Sequence, residues 1–68
     1  MSYPIFDSRD GRTIIGHANG LRSAGLQLRK MLTIPAGFRL HVWLRTDTMS
    51  DMLDLPVGFV YSISNHKA

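Results

Sequence analysis

The chain predicts a small two-layer α+β domain: an antiparallel sheet of about four strands in ββαββ order, with one main helix packed on it and a possible short second helix. Three observations carry this. Phe38, Leu40, Val42 and Leu44 alternate with Arg39, His41, Trp43 and Arg45 at the two-residue period of a strand. Val57, Phe59, Tyr61 and Ile63 alternate in the same way with Val60, Ser62 and Ser64. Between the first β-prone runs and the 38–45 segment, apolar residues recur at helical spacing from Leu21 to Leu32.

The first two strands are read from Tyr3-Pro4-Ile5-Phe6-Asp7 and Arg12-Thr13-Ile14-Ile15-Gly16-His17. Pro4 confines its strand to an edge or its segment to a strand's first residues, because it has no amide hydrogen to give to a ladder. Asp10-Gly11 between the runs suits a two-residue type I′ turn, whose central residues both need positive φ. That turn would place Tyr3, Ile5 and Ile14 on one face and Phe6, Ile15 and His17 on the other. Both faces would then carry apolar residues, so either the hairpin is covered on both sides or a longer loop shifts its register.

Asn19 is the expected N-cap of a helix over about 20–33. Leu21, Ala24, Gly25, Leu28, Met31 and Leu32 share one arc; Arg22, Ser23, Leu26, Gln27, Arg29 and Lys30 lie outside it. Arg29 and Lys30 complement the helix dipole in the last turn, and Pro35 ends the helix by forcing Ile34 to be extended. Gly25 on the inner arc would permit close approach of a neighbouring element. After the 38–45 strand, the acidic stretch Thr46–Pro56 lacks alternation. Asp47 or Thr48 would cap a short helix there, with Met49, Met52 and Leu53 folded inward. The last strand is expected to pair with the 38–45 strand, and residues 65–68 to form a frayed tail.

At 68 residues and with no cysteine, the chain is one small domain without disulfide or thiolate-metal staples. Oligomerisation is the remaining way to supplement a core of this size, and a homodimer is expected. No signal peptide or membrane-length apolar run is present, so the cytoplasm is the expected compartment. The net charge of +3 is unevenly spread: residues 1–45 hold seven Lys/Arg against Asp7 and Asp10, whereas residues 46–66 hold only Asp47, Asp51 and Asp54. That asymmetry suits a polyanion or an acidic protein surface as partner.

The row Arg39, His41, Trp43 and Arg45 is the most chemically pointed feature, because exposed strand faces are more often Thr, Ser, Lys and Glu. Its cations suit phosphates or carboxylates, and its indole suits an unstacked base or a protein pocket. The RNP aromatic pattern of an RRM is absent. Arg22, Arg29 and Lys30 around Leu26 form a second basic group on the helix, and Arg9 and Arg12 a third at the hairpin tip. Two readings arise from the same residues: a regulatory or inhibitory domain that docks on a larger protein, or a nucleic-acid-binding module. Arg39 and Arg45 paired with Asp47, Asp51 or Asp54, that segment lying over them as a polyanion mimic, would be an internal alternative.

Catalysis, cofactors and metals are not expected. The aspartates lack EF-hand spacing, and His17, His41 and His66 form no ligand pair. Gly16-His17-Ala18-Asn19-Gly20 lacks the Lys-Ser/Thr of a P-loop and the third glycine of a dinucleotide fingerprint, leaving only the amides of Gly20 and Leu21 as an anion site. Such a chain has little volume for a catalytic pocket.

Overall fold

The computed structural model describes residues 2–46, 52 and 54–65. Two strands, β1 (Tyr3–Phe6) and β2 (Ile14–Ala18), precede a helix, α1 (Leu21–Met31), and two longer strands, β3 (Phe38–Arg45) and β4 (Gly58–Asn65), come after it. They form a two-layer α+β domain with one four-stranded sheet in the order β2-β1-β4-β3. The expected short helix over the acidic stretch falls mostly on residues 47–51 and 53, outside the described residues, but Met52, expected to fold inward, is exposed.

The sheet is mixed, where a fully antiparallel one was expected. β1 pairs antiparallel with β2, and β3 pairs antiparallel with β4 from Phe38↔Asn65 to Arg45↔Gly58. Between these two hairpins, β1 and β4 run parallel, in register at Ile5↔Phe59. Asn65 therefore closes β4 instead of beginning a tail. The parallel joint places β1 in the interior of the sheet despite Pro4, which stands near the strand's start, where a missing amide hydrogen does least harm.

The two-residue turn at Asp10-Gly11 does not form. Residues 7–13 instead make a longer loop closed by the Asp7 amide donating to Thr13 O at 2.8 Å. The two aspartates explain the difference, because each captures local donors that a tight hairpin would place elsewhere. Asp10 Oδ1 accepts from the amides of Arg12 at 2.8 Å and Thr13 at 2.9 Å, and Asp7 Oδ1 accepts from the Arg9 amide at 3.0 Å. Gly11 takes the left-handed conformation that closes the loop, with φ 68°. The register then shifts between Ile5 and Phe6, and Ile15 packs against the core instead of sharing a face with Phe6.

α1 is shorter than the expected 20–33, and its N-cap is Gly20, without a side-chain cap, instead of Asn19. Eleven residues with no such cap are marginal on their own, so packing of the inner face holds the helix. That face is narrow. Ala24 and Leu28 are fully buried, whereas Leu21 and Met31 of the expected arc remain about half exposed. Gly25 makes no close approach to any described residue; the close approach falls at Gly16 of β2, where an added Cβ would lie 3.3 Å from Gln27 Oε1 and 3.6 Å from Ile5 Cδ1. Gln27 also donates to His17 O at 2.6 Å, tying the helix to β2.

The core lies between helix and sheet, where Ile5, Ala18, Ala24, Leu28, Phe59 and Tyr61 form one cluster flanked by Tyr3, Leu40 and Val42. The Tyr3 and Phe59 rings meet edge to face, with centroids 5.9 Å apart, a contact worth about 1 kcal/mol beyond area burial. Phe6 is buried too, yet it points to the other side of β1, away from that cluster. It lies against Gly58: a Cβ on Gly58 would collide with the Phe6 ring and stand 2.6 Å from the Pro4 carbonyl oxygen.

These contacts order two glycine substitutions. Gly58→Ala is expected to destabilise the fold by about 1–3 kcal/mol in urea unfolding, because backbone of β1 stands in the way. Gly25→Ala, with open space at the Cβ position, is expected to stabilise by up to ~1 kcal/mol through helix propensity.

Candidate functional site

The face of the sheet opposite α1 is built from the alternate residues of β3 and β4. Leu40 and Val42 pack on the helix side, so Arg39, His41, Trp43 and Arg45 project from the other. Across the β3–β4 ladder, Trp43 stands opposite Val60, His41 opposite Ser62 and Arg39 opposite Ser64. The His41 ring is also 3.0 Å from Ser64 Oγ through Nε2. Trp43 is 45% exposed, and Arg39 and His41 are exposed beside it.

Arg45 departs from the expected row. It is 4% exposed, and its guanidinium carbon lies 4.4 Å from the centroid of the Phe6 ring. The cause is Gly58, which faces Arg45 directly across the ladder and has no side chain. The arginine can therefore lie across β4 onto Phe6 of β1, while Nη1 donates to Gly11 O at 3.1 Å. Among the described residues, Nε and Nη2 are buried and meet no hydrogen-bond partner, a penalty that the cation–π contact, of about 2 kcal/mol for a desolvated pair, offsets only in part. Arg45 is thus a strut between the edge strand and the β1–β2 loop, not part of the exposed face. The sequence signal for this was the absent side chain at Gly58, which carries meaning only once the β1–β4 pairing is known.

The helix residues form a separate surface. Leu26 is 57% exposed, and Arg22, Arg29 and Lys30 are exposed around it, on the layer that faces away from Trp43. Of these four, only Arg29 shares a groove with a member of the sheet-face row. That groove, of about 390 Å³, lies at the start of β3 and is lined by Arg29, Ile34, Phe38 and Arg39 among others.

In the β1–β2 loop, Arg9 pairs with Asp7 at 2.9 Å, and this ion-paired hydrogen bond holds the Asp7 carboxyl below the usual carboxylate range. Its partnership makes Arg9 a brace of the loop. The Asp10 carboxyl is lowered further, to about 2, first by the Thr13 hydroxyl and then by the amides of Thr13 and Arg12. Of the expected partners of Arg39 and Arg45, Asp47 and Asp51 lie outside the described residues, as does His66 in the tail, while Asp54 is exposed.

Comparison with known proteins returned nothing: no family model, curated protein or solved structure matches the chain.

Two outcomes test the loop and its strut. Arg45→Ala is expected to cost about 1–3 kcal/mol in denaturant unfolding, whereas Arg45→Met, which keeps the stem on Phe6 and removes the unpaired charge, should be within about 1 kcal/mol of the parent or more stable. Asp10 has a folded pKa below its ordinary value, so its stabilisation is complete above about pH 4 and is lost as the pH falls through about 2. Acid unfolding followed by circular dichroism should accordingly lose part of its pH dependence in that interval in Asp10→Asn.

Proposed function

We propose that the chain is a small non-catalytic binding domain, regulatory or inhibitory in kind, that docks on a larger protein in the cytoplasm through the face of Arg39, His41 and Trp43, and acts as a dimer. The observation that carries this reading is the exposure of the chain's one tryptophan on the strand face turned away from the helix, beside Arg39 and His41. Tryptophan and arginine are the residues most often found at the energetic centre of protein interfaces, where they fill pockets inside a polar rim. Here the rim is supplied by His41, Ser62 and Ser64.

Withdrawal of Arg45 weakens the competing nucleic-acid reading. A strand that tracks phosphates needs a succession of outward cations, and this row presents Arg39 while its second arginine lies on Phe6. Of the helix cations, only Arg29 shares a groove with Arg39; Arg22 and Lys30 are not in its lining. No helix among the described residues is long and apolar enough to cross a membrane.

Affinity capture from cells, read by native mass and by the ratio of absorbance at 260 and 280 nm, tests the proposal. A stoichiometric protein partner free of nucleic acid is expected, with Trp43→Ala weakening its binding by about tenfold or more while leaving unfolding stability little changed. Co-purified nucleic acid whose binding falls steeply with salt would overturn it.

A further inference from the structure

The sheet has two outer edges, and they are protected unequally. β2 is five residues long, carries a glycine and has an irregular register with its neighbour, all of which blunt an edge. β3 is eight residues long, in unbroken register with β4, and contains neither proline nor lysine. Among the described residues, nothing pairs with its outer side. Its usual guard would be outward charge, and one of its two arginines has been turned inward onto Phe6. Such an edge is a template for another strand.

We propose that the occupant is a second copy of this chain, the two β3 strands pairing antiparallel about a two-fold axis at His41 to make a continuous eight-stranded sheet. A dyad perpendicular to the sheet keeps both helices on one side and must centre the pairing on a residue. Centred on His41, the register sets Phe38 opposite Leu44 of the second copy, Arg39 opposite its Trp43 and Leu40 opposite its Val42, and leaves over only Arg45, the residue already turned inward onto Phe6. The apolar side chains that are 40% and 38% exposed at the two ends of β3 thereby cover each other. Each indole gains a cation across the ladder. Centring on Val42 would instead oppose Arg39 with Arg45 and set the part-exposed Phe38 against Thr46 in place of an apolar side chain; centring on Leu40 would leave Trp43 and Leu44 without strand partners.

The inference deepens the proposed docking function. Pairing at His41 brings the Arg39, His41 and Trp43 rows of both copies side by side on the face opposite the helices, so the second copy supplies half of a joined platform. The chain lacks cysteine, which makes the register directly readable. With the pairing centred on His41, His41→Cys places two thiols on directly opposed residues, at Cα separations of about 4.5–5.5 Å, within disulfide reach. Val42→Cys places them roughly 8 Å apart, beyond it.

The experiment measures native mass by light scattering and disulfide formation under mild oxidation on the full chain. The parent should be a dimer, F38E and L44K should each be monomeric, and the double variant F38E/L44K should recover the dimer, because each new carboxylate then faces a new ammonium group. His41→Cys should cross-link and Val42→Cys should not. A monomeric parent, failure of the double variant to recover, or cross-linking through position 42 in place of 41 would overturn the inference. Folding of each variant is followed by circular dichroism; should either single variant unfold, the cysteine pair alone decides. A monomeric parent that still captures its protein partner would overturn the dimer while leaving the docking function intact.

Discussion

The missing side chain at Gly58 is the constraint on which the arrangement turns. The sheet consists of two antiparallel hairpins joined by the parallel contact of β1 with β4, and at that joint Pro4 and Phe6 press against the first residue of β4. Any β carbon there would meet the Phe6 ring and the Pro4 carbonyl oxygen. The same notch gives Arg45 its path across β4. One glycine thus sets both how the hairpins meet and where a cation of the edge strand is placed.

The row on β3 is asymmetric as a result. Four side chains alternate outward, but the one nearest the joint is drawn under the β1–β2 loop and the other three stay on the surface. Burying a guanidinium with two nitrogens unpartnered among the described residues is costly, and the ring beneath it returns only part of that cost. A Met or Leu would fill the same space at a smaller penalty. Retaining arginine has one structural consequence that an apolar residue would lack: its Nη1 fixes the Gly11 carbonyl and hence the loop organised by Asp7 and Asp10. The exposed surface that remains is more aromatic and less cationic than the sequence row implies, and this favours a protein contact over a phosphate track.

Local periodicity was enough to find the strands, the helix and the outward direction of Trp43, because alternation and 3.6-residue spacing are properties of short windows. It was not enough for features made between distant segments. The parallel joint pairs Ile5 with Phe59, and no turn or spacing announces it. The Asp10-Gly11 signal misled because Asp7 and Asp10 compete for the amides a tight turn would use. Gly25 drew attention by lying on the helix's inner arc, while the glycines that matter for packing, Gly16 and Gly58, looked ordinary inside their strands. Arg45 was legible as a member of the row and illegible as a strut, since its ring partner lies two strands away.

The central claim is that Arg45 lies inward on Phe6 across Gly58 while Trp43 of the same strand face stays in solvent. Side-chain nuclear Overhauser effects measured by NMR on isotopically labelled protein test it most directly. The account predicts contacts from the Arg45 methylenes to the Phe6 ring, with those protons shifted upfield by the ring current, and no contacts from the Trp43 indole to Leu28 or Phe59. Arg45 resonances at random-coil positions together with a Trp43 indole packed among core residues would contradict it.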